Sequence, residues 1–222
     1  MASSRHERFY MTNVTLLVED CLLRVPRDPL QSQSPVFRDM FLLPVGDQGE
    51  AEGLSDAKPI RLEGVKLDDF EQLLKVLYPG SHGKQELPDG CAQWTSVLKL
   101  ASLWDFDGVR EKAIEALEAL DITPVDKVAL AMQYNIEKWM IPAINAMAQR
   151  PEPIGVEDVD RLGLDAALKI ARIREQVFLR TVYSPASMSN KQELRPGHRD
   201  PTTQKLDFTP TICTTFGLLA PS

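Results

Sequence analysis

The chain has 222 residues, 43% of them hydrophobic and 26% charged, with a net charge of −7 at pH 7. At about 100–200 residues per domain this is one large or two small globular domains, with core enough to fold without a metal or disulfide. The acidity argues against nonspecific phosphate binding, and no apolar stretch approaches the roughly 18 residues of a membrane span. In chain order, Met1–Arg8 is polar and leads into no signal-peptide core.

Val14–Val18 and Leu22–Val25 read as the two strands of a hairpin, with Val14, Leu16 and Val18 on one face by the period of two. Val14–Val18 is expected at a sheet edge. Pro26 and Pro29 suggest an extended corner after the hairpin. Ser34-Pro35 opens a helix over Val36–Phe41, with serine as N-cap and proline at the first helical position. Pro44–Lys58, with four acids and one lysine, reads as an exposed loop, and Pro59–Glu63 as a strand. Asp68 and Glu71 suggest an acidic capping box ahead of Phe70, Leu73, Leu74 and Leu77. Tyr78-Pro79-Gly80 ends that helix, and 81–90 is a second loop.

Beyond residue 90 the chain reads as helical and carries a weak repeat at an offset of 30 residues. Leu98–Leu117 aligns with Val128–Met147, with identities at Leu100/Leu130, Ala101/Ala131, Ala113/Ala143, Ile114/Ile144 and Ala116/Ala146. Trp104 and Phe106 match Tyr134 and Ile136 in kind. Each unit reads as two helices joined by a turn at Asp105 or Asn135, with the aromatics structural. Thr123-Pro124 caps the second unit, and Pro142 implies a kink or a late start in its second helix. After Arg150-Pro-Glu-Pro153, a short helix Val156–Leu162 stops at Gly163. A longer one, Leu164–Arg180, carries the stripe Ala167, Leu168, Ile170, Ala171 and Val177, with Arg172, Arg174, Glu175 and Arg180 as a solvated face. From Ser184 onward five prolines and ten Ser/Thr mark a disordered tail; its mildly apolar end, Phe208–Leu219, is by default unanchored, the alternative being a docking peptide.

No catalytic constellation is visible. His6, His82 and His198 fall in an arm, a loop and the tail. Cys21, Cys91 and Cys213 are odd in number, lack CxxC spacing and suit a reducing compartment. The phosphate-cradling, zinc-protease and nucleophile-elbow motifs are missing. The expectation is a non-enzyme without cofactor or metal, cytoplasmic and/or nuclear, with protein partners and no small-molecule substrate, direct nucleic acid or membrane.

Three blocks in order, Ser34–Phe41, Phe70–Tyr78 and Leu98–Phe106, resemble a BTB/POZ domain, and most closely the large fungal (basidiomycete) group. The resemblance spans residues 9 to 180. Asn13 and Pro26 stand where the family usually carries Asp and His. It implies an α+β fold, a helical cluster with a small flanking sheet over 9–120. A BACK-like helical extension over 121–181 and a disordered tail over 182–222 would follow. It also implies self-association and partner recruitment, for many members onto a cullin scaffold of ubiquitin ligases; the alternative is a transcriptional or chromatin regulator acting through partners. Interface candidates are Val14, Leu16, Val18, Val36, Phe37, Met40 and Phe41.

Overall fold

Alternating apolar residues make Val14–Val18 the central strand of a small sheet. In the computed structural model of the protein, the described residues are 4, 6, 10–43, 52–78, 80, 86–182 and 206–219, those of 176–182 by backbone alone. Contacts divide the chain into two units, Met1–Asp121 and Ile122–Ser222.

In the first unit, β1 (Asn13–Val18) pairs antiparallel with β2 (Cys21–Pro26) and parallel with β3 (Ile60–Arg61), in the order β2-β1-β3. The hairpin turn is Glu19-Asp20, with Cys21 already in β2. β1 is therefore covered on both sides, and the expected edge at Val14–Val18 does not exist. β3 is shorter than Pro59–Glu63, because Gly64, at φ 73°, turns the chain away two residues after Leu62 bonds to Leu17. Gly53 is packed against this sheet. Its carbonyl accepts from the Thr15 amide at 2.7 Å, and at φ 81° a Cβ would stand 2.8 Å from Val14 Cγ2. Within residues 52–58 of the expected exposed loop Gly53 is thus tied to β1, while most of its neighbours are exposed; residues 44–51 lie outside the described residues, as do 81–85 of the second loop.

The expected extended corner is instead α1 (Asp28–Gln33), with Pro29 in its first turn, where its missing N–H costs nothing. α2 (Pro35–Leu42) follows at once, capped as expected: Ser34 Oγ accepts from the Phe37 amide at 3.0 Å. The same hydroxyl donates to the Trp104 carbonyl at 2.6 Å, seventy residues away. α3 (Leu67–Leu77) buries Phe70, Leu73, Val76 and Leu77 and leaves Leu74 half-buried. No capping box forms, since the helix starts before Asp68. Its first amide, Leu67, instead bonds to the Glu19 carboxylate of the hairpin turn at 3.2 Å. Asp69 turns to the next helix, accepting from Ser96 at 2.5 Å and Lys99 at 2.8 Å. Burial pulls the Asp69 carboxyl up, but these donors hold it below its ordinary value.

α4 (Cys91–Leu103) and α5 (Asp107–Ala119) meet at Asp105; in the second unit α6 (Pro124–Tyr134) and α7 (Glu137–Gln149) meet at Asn135. Both turn residues have a left-handed φ of 52°. Phe106 N bonds to Ala101 O and Ile136 N to Ala131 O, each at 2.9 Å. The 30-residue repeat is therefore real in backbone geometry, and Asp and Asn tolerate that conformation better than most residues. Thr123 caps α6 from its hydroxyl. α7 runs through Pro142 from Glu137, so no late start occurs.

The second unit continues with α8 (Val156–Leu162), α9 (Leu164–Val182) and α10 (Thr209–Phe216). The stripe on α9 is shifted from expectation. Ala166, Ala167, Ile170, Ile173 and Arg174 are buried, Leu168 is exposed, and the side chains of Val177 and Arg180 lie outside the described residues. Arg174, read as solvated, donates to the carbonyls of Met147 at 2.5 Å and Glu152 at 2.7 Å, satisfying the end of α7. Beside it, Arg150 forks onto Asp158, which also accepts from the Gly155 amide at 2.9 Å. That arginine pairing holds the Asp158 carboxyl below its ordinary value against the pull of burial. The end of the chain is not unanchored: Phe208 and Ile212 are fully buried, and α10 packs on α7 and α9. Residues 183–205 of the expected tail, with His198, lie outside the described residues, as does His82.

The core of the first unit centres on Trp104. Phe37 meets it edge-on at 5.1 Å and Phe70 at 5.8 Å, with Phe106 5.7 Å from Phe37. Trp104→Ala removes the shared member of this cluster. Large-to-small changes at such sites cost about 3–5 kcal/mol. Thermal melting should show a drop of many degrees; an unchanged Tm would mean that the ring does not hold the cluster together.

Candidate interaction surface

The spacing of α2 gives it two apolar stripes. Phe37 and Phe41, four apart, turn inward: Phe37 is buried and Phe41 half-buried, their rings 5.8 Å apart. Arg27 fixes the second ring. Its guanidinium lies 4.4 Å over the Phe41 face and donates from Nη2 to the Phe41 carbonyl at 3.1 Å. Such a cation over an aromatic face is worth about 0.5–2 kcal/mol, depending on desolvation. Val36 and Met40 follow the other spacing, i and i+4, and Leu42 and Leu43 stand at the end of the helix and just past it. Val36 is exposed, Met40 half-buried, and Leu42 and Leu43 at the helix end are 71% and 70% exposed. Isolated exposed leucines need no explanation, but a stripe ending in two fully presented ones is a candidate contact face.

A second surface lies where the N-terminal segment meets β2. An open groove of about 1070 Å³ is lined by Tyr10, Met11, Pro26, Arg27, Leu74 and Tyr78, among others. Tyr78 closes its floor by donating its hydroxyl to the Pro26 carbonyl at 2.7 Å. Burial, and then the negative charge of Asp28, raise the Tyr78 phenol far above its ordinary value, so it is a neutral donor at any physiological pH. Pro26 has no N–H and its carbonyl is taken, so this end of the β2 edge offers little to an incoming strand.

The sequence-derived interface candidates divide between core and surface. Val14, Leu16, Val18 and Phe37 are at most 3% exposed within their own unit. Their side chains hold the fold, and a contact to a partner through them would require opening the core. Val36 is exposed; Met40 and Phe41 are half-buried on the same helix. Sequence reasoning missed Leu42, Leu43, Tyr10 and Met11. Leu42 and Leu43 extend the apolar run of α2 and were legible as such; Tyr10 and Met11 carry no pattern. Among the described residues, no group of three or more His, Cys, Asp or Glu could hold a metal ion, and no helix is long and apolar enough to cross a membrane.

Both surfaces lie within the first unit, a three-stranded sheet joined to a helical cluster. A family model of the BTB/POZ domain matches residues 1–120. The chain belongs to the BTB/POZ family. No curated protein matches it. A BTB/POZ domain is a protein–protein interaction module, and within this one α2 and the Tyr10–Tyr78 groove are the faces on which exposed apolar groups gather.

Proposed function

We propose that this BTB/POZ protein self-associates through the outer stripe of α2 and recruits a partner, as a substrate adaptor of a cullin-type ubiquitin ligase. The observation that carries the self-association is the run Val36, Met40, Leu42 and Leu43, which leaves apolar groups in water on a helix whose inner stripe is already satisfied by Arg27, Phe37 and Trp104. A two-fold contact is self-complementary, so one such helix face supplies both halves of an interface. Asn13 and Pro26, in place of the family's usual Asp and His, are consistent with an interface centred on α2 rather than on the hairpin. The helical hairpins after residue 121 resemble the BACK-like extension of family adaptors and support the adaptor reading.

Sedimentation of the wild type at micromolar concentration should give a dimer, and Met40→Asp should give a monomer with an unchanged helical spectrum. A wild-type monomer, or a dimer indifferent to that change, would contradict the α2 interface. Affinity purification from the native cell should bring down a cullin with its ring subunit. Recovery of a corepressor without a cullin would instead favour a transcriptional regulator.

A further inference from the structure

α10 is a helix that its own sequence does not favour. Thr209-Pro-Thr-Ile-Cys-Thr-Thr-Phe216 contains four threonines, an isoleucine and a proline, and no strong helix former. Eight residues are also well short of the roughly 12–15 at which isolated helices become even marginal. The helix therefore owes its existence to the surface it lies on, α7 and α9 of the same unit.

That surface reads the segment in two ways. Asn145 and Gln149, one turn apart on α7, address its backbone. Asn145 Oδ1 accepts from the Phe208 amide at 3.0 Å, and Gln149 Nε2 donates to the Leu206 carbonyl at 2.8 Å. Apolar sockets take its side chains, with Phe208 2% and Ile212 0% exposed. At the far end, Lys169 of α9 stands 5.6 Å over the Phe216 ring. Anchors at 208, 212 and 216 repeat every four residues, the spacing by which an amphipathic helix lays one face into a groove. Residues 183–205 join α9 to this segment, so its only covalent tie to the groove is a long one.

We infer that the α7–α9 groove is a helix-binding site, that α10 is its resident ligand in cis, and that it accepts in trans a partner peptide of the same chemistry. That chemistry is an aromatic residue whose amide donates to Asn145, an aliphatic four positions later and an aromatic four after that, with a carbonyl two positions before the first aromatic to accept from Gln149. The tethered segment competes intramolecularly with any partner peptide, so the site is guarded rather than open. This inference concerns the second unit and does not depend on the α2 interface.

The probe is a fluorescently labelled synthetic peptide of residues 206–219, titrated into the full chain. The Phe208→Asp, Ile212→Asp double variant releases the resident helix and should bind the probe at least about tenfold more tightly than the wild type. A variant that stays folded, losing no more helicity than the eight residues of α10, yet binds no tighter would overturn the inference. Should the variant fail to fold, a protease site placed within 183–205 of the otherwise wild-type full chain gives the second measurement. After cleavage, dilution should release the C-terminal fragment that carries 206–219 and leave the remaining helicity intact. A fragment that never exchanges with the probe, or whose release unfolds the second unit, makes α10 an inseparable part of the fold and ends the proposal.

Discussion

The first unit depends on the anchoring of α2 to the turn between α4 and α5. Ser34 serves both ends of that anchor with one hydroxyl, capping its own helix and donating to the Trp104 carbonyl, while Phe37 sits edge-on against the Trp104 ring. A buried hydroxyl costs free energy unless it is bonded, and here donor and acceptor capacity are both used. Fixing Phe37 and Phe41 inward also fixes Val36 and Met40 outward, because a helix cannot rotate one stripe without the other. The exposed face of α2 is thus a consequence of the core. Arg27 reinforces the choice from the other side by covering Phe41.

Polar groups organise the second unit differently. Arg174 closes the carbonyl end of α7, and Arg150 with Asp158 holds the segment that leads into α8. Removing one member of so enclosed a pair is costlier than the pair's own net worth, since the remaining charge is left without its partner. These contacts order the end of α7, the same helix whose Asn145 and Gln149 carry the C-terminal segment.

Much of this architecture was legible in the sequence, and what escaped has a common physical cause. The hairpin, the Ser34 cap and the paired helices with their turns at Asp105 and Asn135 follow from local rules of period, capping chemistry and turn composition. The family itself was readable from three short blocks. Non-local partners were not readable. Glu19 caps α3 from the hairpin turn, where an acidic box within the helix was expected. Arg174 looked like a wet residue because nothing nearby in sequence announces the α7 carbonyls it meets. α10 was missed for the opposite reason, since its threonines argue against a helix that only tertiary contact imposes. Val14, Leu16, Val18 and Phe37 were read as interface candidates and are buried within their own unit, because apolar pattern marks burial without saying whether a partner or the chain itself provides it.

The central claim is that Phe37 and Trp104 act together to set the orientation of α2. A double-mutant cycle on their alanine variants, measured by denaturant unfolding, tests it most directly. An aromatic pair in edge contact contributes about 0.5–1.5 kcal/mol beyond the area it buries, so the cycle should return a coupling of that size. Strictly additive losses would show that the two rings stabilise the unit independently, and would contradict the dependence of the α2 face on that contact.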